Sequence, residues 1–174
     1  MKKVLSCLLA VLLLASFSVM AFAADPVPSV EAEEVVPAVA EALDADGNDV
    51  ASSIVITDYA DKDTLPEAAQ EQLDAADEAL KDLAALIEGN EDLKELVGDK
   101  DVDVESLFDI STVGEVSFPV DLKLELDNVD NFAALLHFVD GEATLVETEV
   151  EDGAVSLALE EVGSYAVLSF VEAE

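Results

Sequence analysis

From Val116 to Val171 apolar residues recur at every second position in short runs, and Asp-Gly pairs cut the runs apart. Alternation places the apolar side chains on one face of a strand, and Asp-Gly supplies the positive backbone angles of a two-residue hairpin turn. The pattern therefore predicts an antiparallel sheet. Its clearest strand has Val116, Phe118, Val120, Leu122, Leu124 and Leu126 on one side, with Ser117, Asp121, Lys123, Glu125 and Asp127 between them. Pro119 sits on the polar side and lacks an amide hydrogen, which predicts an edge strand or a bulge. Further strands are expected at 132–139, 143–150, 154–159 and 164–171, with hairpin turns at Asp140-Gly141 and Asp152-Gly153. The run 132–139 is apolar almost throughout, as suits a central strand covered on both faces. Several short strands at regular spacing suggest a sandwich.

Upstream, Asp44-Ala45-Asp46-Gly47-Asn48 separates Glu41–Leu43 from Val50–Thr57, which predicts an N-terminal hairpin. Thr64-Leu65-Pro66-Glu67 fits a capping box, in which the threonine hydroxyl and the glutamate three residues on satisfy free amides at a helix start. Leu73, Ala76, Leu80, Leu83 and Ile87 then recur at helical spacing, and Gly89 is expected to end the helix as a left-handed cap. A short second helix through Leu93, Leu96 and Val97 would end at Gly98 before the polar stretch 99–103. The expected fold class is α+β, mainly β: an antiparallel, sandwich-like sheet with a helical segment inserted after an N-terminal hairpin. One β-rich domain covers 40–174, with the helical insert at about 64–98 and a C-terminal β module at about 113–171.

The first residues, Met1-Lys2-Lys3, an apolar run from Val4 to Met20 and Ala21-Phe22-Ala23, have the layout of a secretory signal peptide over 1–23. Cleavage is expected after Ala23. Residues 24–39 form an acidic, proline-rich tail of extended character. The sole cysteine, Cys7, lies within the leader, so the remaining chain would have no disulfide and no cysteine ligand. Nothing after Ala23 reads as a membrane anchor, which implies a secreted, extracellular product, free or associated with the cell envelope.

Charge narrows the partners. The chain carries 41 acidic against 7 basic residues, a formal net charge of −34, and it has no arginine. Loss of Lys2 and Lys3 with the leader makes the balance more negative still. Nucleic acid and anionic membrane surfaces, both of which are bound through Lys and Arg, are thus excluded as expected partners, and a protein partner is expected. Divalent cations would gather diffusely around such a charge and screen its self-repulsion.

Candidate chemistry is sparse. Asp44 to Asp49 collects oxygen ligands suited to calcium, but its spacing meets only part of the register of a helix–loop–helix calcium loop, and a hairpin turn accounts for the same residues. His137, the single histidine, lies in an apolar strand without serine-elbow or triad context, and is expected to face a polar groove or pair with a backbone carbonyl. Acids are so numerous that no carboxylate pair stands out for glycoside chemistry. No catalytic, cofactor-binding or metal-ligating residue is assigned, and no cofactor is expected. The composition fits a non-enzymatic interaction module, with a secreted hydrolase using paired carboxylates and a weak calcium-binding structural protein as the alternatives.

The order of Asp44-Ala45-Asp46-Gly47, Ile54-Val55-Ile56-Thr57, Asp63-Thr64-Leu65-Pro66, Leu107-Phe108-Asp109-Ile110-Ser111, Phe118-Pro119-Val120, Leu136-His137-Phe138 and Tyr165-Ala166-Val167-Leu168 resembles small secreted or surface-displayed proteins of Gram-positive bacteria. These end in a β module built from a Leu-His-aromatic strand, a Gly turn, a Val-rich strand, a second Gly turn and a closing strand. The resemblance spans about 42–171 and implies extracellular display with no established activity.

Overall fold

The computed structural model describes residues 36–171; the expected leader and most of the acidic tail lie outside them. Two antiparallel sheets and a layer of helices stack in the order sheet, sheet, helices. The strands are β1 (Ala38–Leu43), β2 (Ile54–Asp58), β3 (Val102–Thr112), β4 (Val120–Glu125), β5 (Phe132–Val139), β6 (Glu142–Val146), β7 (Thr148–Glu151), β8 (Ala154–Leu159) and β9 (Gly163–Phe170). The helices α1 (Glu67–Leu80), α2 (Leu83–Gly89) and α3 (Glu91–Val97) fall between β2 and β3. One sheet has the order β1-β4-β8-β7 and the other β2-β3-β9-β5-β6. The fold is therefore the expected mainly-β, sandwich-like one with its helical insert. Among the described residues no helix is long and apolar enough to cross a membrane.

Alternation builds two cores back to back. Leu122, Leu124, Val155, Leu157 and Leu159 of the four-stranded sheet meet Phe108, Ile110, Leu135, Tyr165 and Val167 of the five-stranded sheet. The opposite face of that second sheet presents Leu107, Ala134, Leu136, Phe138, Ala166 and Leu168 to Leu73, Ala76, Leu80, Leu93 and Val97 of the helices. β5 thus is covered on both sides, as its apolar run demands, and it lies between β9 and β6.

The N-terminal turn closes through a bridge between Leu43 and Asp49, after which the two arms part. β1 joins β4 in one sheet and β2 joins β3 in the other, so the hairpin ties the sandwich together across its layers. β1 begins at Ala38, within the stretch read as tail.

Several local expectations are corrected. Thr64 does not cap α1: its hydroxyl donates to the Asp61 carbonyl at 2.9 Å and completes a 3-10 turn, while Pro66 occupies the cap position without a side-chain bond. The long helix breaks at Lys81-Asp82, where the Asp82 carboxylate accepts from the Ala85 amide at 3.1 Å and starts α2. Gly89 is not a left-handed cap; it is the last residue of α2, and Asn90 follows in an extended conformation that both ends α2 and caps α3. Gly98, with φ 61°, does end α3. Because the caps lie at Asp82 and Asn90, Asn90→Ala should cost about 1 kcal/mol in urea unfolding, whereas Thr64→Ala should change stability by less than about 0.5 kcal/mol.

Between Val116 and Leu126 only Val120–Glu125 pairs as a strand. β4 lies inside its sheet rather than at an edge, and Pro119 is tolerated because it precedes the first ladder residue. The run 143–150 divides at Glu147: β6 finishes in the five-stranded sheet and β7 starts in the four-stranded one. At both expected turns the Asp and the Gly have positive φ, 52° and 81° at Asp140-Gly141 and 53° and 81° at Asp152-Gly153, the conformation that a two-residue turn between twisted strands requires.

Candidate functional site

Residues singled out by their chemistry are placed in structural roles. The Asp44 carboxylate accepts from the amides of Asp46 and Asn48 at 3.0 and 2.8 Å and from the Asn48 side chain, which holds its pKa below the ordinary carboxylate value. Asp46 accepts from the Ser117 hydroxyl at 3.2 Å. The loop's oxygens are thus engaged in closing the turn and fastening it to the 114–119 segment.

His137 faces neither a polar groove nor a backbone carbonyl. Its ring stacks on Tyr165, the residue opposite it on β9, with centroids 4.5 Å apart and planes 19° from parallel. Nδ1 lies 3.8 Å from the Glu161 carboxylate, and the Tyr165 hydroxyl donates to the Glu161 carbonyl at 2.7 Å. Burial pushes the imidazole pKa down, opposed by the Glu161 charge, and burial pushes the Tyr165 phenol up. Gly163 leaves room for this stack: it has φ 150°, and a Cβ there would stand 3.0 Å from His137 Nε2. Gly163→Ala should therefore cost roughly 1–3 kcal/mol, read as a lower melting temperature with loss of the near-UV tyrosine signal. Gly47→Ala, where nothing lies within 4 Å of the added methyl, should lose less.

Two carboxyls that sequence reasoning did not single out are set apart by burial. Asp109 is only 3% exposed and lies across the ladders from Thr57 and Ser164; Ser164 is fully buried and its hydroxyl has no partner. Glu105 sits at the bulge of β3 with one buried, unpartnered oxygen. Desolvation pushes both carboxyls above their ordinary pKa. Neither lines the two surface depressions described next. Lys62, on the helical side, bonds to Asp74 and lies 4.3 Å over the Tyr59 ring, pinning the 3-10 turn to α1.

Among the described residues, neither a helix nor a second sheet covers the outer face of the four-stranded sheet. The inner cores consume the opposite face of this sheet and both faces of its neighbour. Register defines what points outward. Lys123 on β4, Ser156 on β8 and Glu149 on β7 form one cross-strand row, and Glu125, Ala154 and Glu151 form the next. β8 thus contributes the small residues Ala154, Ser156 and Ala158, flanked by carboxylates on both neighbouring strands. At one end Glu41, Glu125, Asp127 and Asp152, with Lys123 among them, surround a depression of about 470 Å³. A wider groove of about 1070 Å³ runs from Ser156 and Glu149 round the β6–β7 edge, past half-exposed Val150, to half-exposed Leu96 on α3. No signal in any one strand marks this trough, because its rows exist only once β4 pairs with the distant β8, Lys123 with Ser156 and Glu125 with Ala154.

No protein-family model matches the chain, and neither the curated proteins nor the solved structures include a similar one.

Proposed function

We propose that this chain is an exported, non-enzymatic interaction module that acts outside the cell or in the cell envelope and holds a protein partner on the outer face of its four-stranded sheet. The observation that carries the reading is the asymmetry of the layers: helices roof the outer side of the five-stranded sheet, while among the described residues no element covers the outer face of the four-stranded sheet, which carries a depression at one end. The leader-like first 23 residues support export, and the strongly negative charge argues against nucleic acid and anionic lipid as partners.

The test is paired capture from culture supernatant and envelope extract with the secreted chain and its Ser156→Arg variant, which fills the trough. A saturable protein partner held by the wild type and lost from the variant is expected. No saturable partner, or equal capture by both, would overturn the reading. Export is checked by the mass of the mature protein, which should begin at Ala24; intact chain retained in the cell would contradict it.

A further inference from the structure

We propose that the trough on β8 receives an extended polypeptide segment with lysine or arginine at alternate positions; this rests on the docking reading above and names the partner's chemistry. Adjacent strands are about 4.8 Å apart, so β4 and β7 stand about 10 Å apart across a β8 floor of Ala154, Ser156 and Ala158, room for one extended chain. Along each wall the outward residues repeat every second position, about 6.8 Å, which is also the spacing of alternate side chains in an extended ligand lying parallel to the strands. Glu149 and Glu151 form one wall. Asp121 and Glu125 form the other, with Lys123 between them facing Glu41 across the β1–β4 ladder. A basic side chain reaching past Glu125 enters the depression among Glu41, Asp127 and Asp152, whose carboxylates outnumber the one lysine there, Lys123.

Charge decides the source of the occupant. The chain has 41 acidic residues, seven lysines and no arginine, so a second copy brings repulsion rather than complementary cations. Phosphate-bearing ligands are repelled for the same reason. The matching partner is a cationic segment of a different protein.

Titration calorimetry of the full secreted chain with a peptide alternating lysine and threonine tests this, with a glutamate–threonine peptide and spermine as comparators. Saturable one-to-one binding of the lysine peptide is expected, weakened about tenfold by the triple change Glu125→Gln, Glu149→Gln, Glu151→Gln and also by Ser156→Arg. Removing the same charge from the helices, with Glu88→Gln, Glu91→Gln and Glu95→Gln, should weaken it less than about twofold. Equal weakening by the two triple variants, equal affinity for spermine on the basis of charge, or no binding of the lysine peptide would overturn the proposal. If the peptide fails while a natural partner is still captured by the wild type and lost from Ser156→Arg, the cationic chemistry falls and the docking face stands. Thermal melts confirm that each variant is folded.

Discussion

Phe108→Ala should destabilise the protein by roughly 3–5 kcal/mol, a large part of the total stability of a domain this size. Phe108 is fully buried on β3, faces the core between the two sheets, and stacks on Tyr165 with centroids 6.3 Å apart. Truncation removes the transfer energy of the ring and leaves a cavity that the strands on either side, fixed by their ladders to β2 and β9, cannot close. The expected readout is a lower urea midpoint with an unchanged slope. Phe108→Leu, which retains most of the volume, should lose only about 1.5 kcal/mol and covers the case in which the alanine variant does not fold. A loss below about 1 kcal/mol for Phe108→Ala would mean that β3 is not at the centre of the sandwich.

Asp109→Asn should have the opposite effect and raise stability at neutral pH by about 1–2 kcal/mol, because it replaces a buried carboxylate lacking an ion pair with a neutral group of the same shape. Its pH dependence follows from burial. Desolvation holds the folded-state pKa of Asp109 above the ordinary 3.8, so the folded protein binds this proton more tightly than the unfolded chain. The penalty is complete above the folded value and is relieved as pH falls through it toward 3.8. Glu105 acts in the same direction, from its own raised pKa down toward 4.5. His137 opposes them: burial holds it below 6.5, so stability is lost as pH falls from 6.5 toward its folded value. Relief of general charge repulsion adds to the carboxyl side. Relief of charge repulsion should make the wild type melt higher at about pH 5 than at about pH 7.5, and Asp109→Asn should start higher and lose its advantage as pH falls toward 3.8. Wild-type melts that only decline on acidification, or an asparagine variant less stable at neutral pH, would contradict this account.

The parts of the fold that depend on a few neighbouring residues could be read directly. Asp140-Gly141 and Asp152-Gly153 adopt the expected turn because it needs only two residues able to take positive φ. β8 has the expected bounds, 154–159, because its alternation is unbroken. β3 was hidden by its own bulge. Val102 and Val104 pack toward the helices, and so does Leu107, three positions on, because the extra residue near Glu105 shifts the side-chain period midway. A period-two search across residues 102–112 therefore finds no strand. The split at Glu147 escaped for the opposite reason: alternation continues from β6 into β7, and only the choice of partner, β5 for one and β8 for the other, separates them.

The candidate site was less legible than the scaffold. His137 reads as an isolated histidine until Tyr165 arrives opposite it, and Asp109 is one acid among 41 until burial distinguishes it. The trough joins Lys123, Ser156 and Glu149, which become neighbours only through two ladders.

By itself, the sequence determined the antiparallel hairpins, the position of the helical insert and the acidic surface, since each follows from short-range periodicity, turn chemistry or a sum of charges. Tertiary structure alone decided which strands share a sheet, which carboxyls lose their water and which sheet face the described residues leave uncovered. Those outcomes depend on long-range register and on competition for burial among distant segments, neither of which is encoded in any local run of residues.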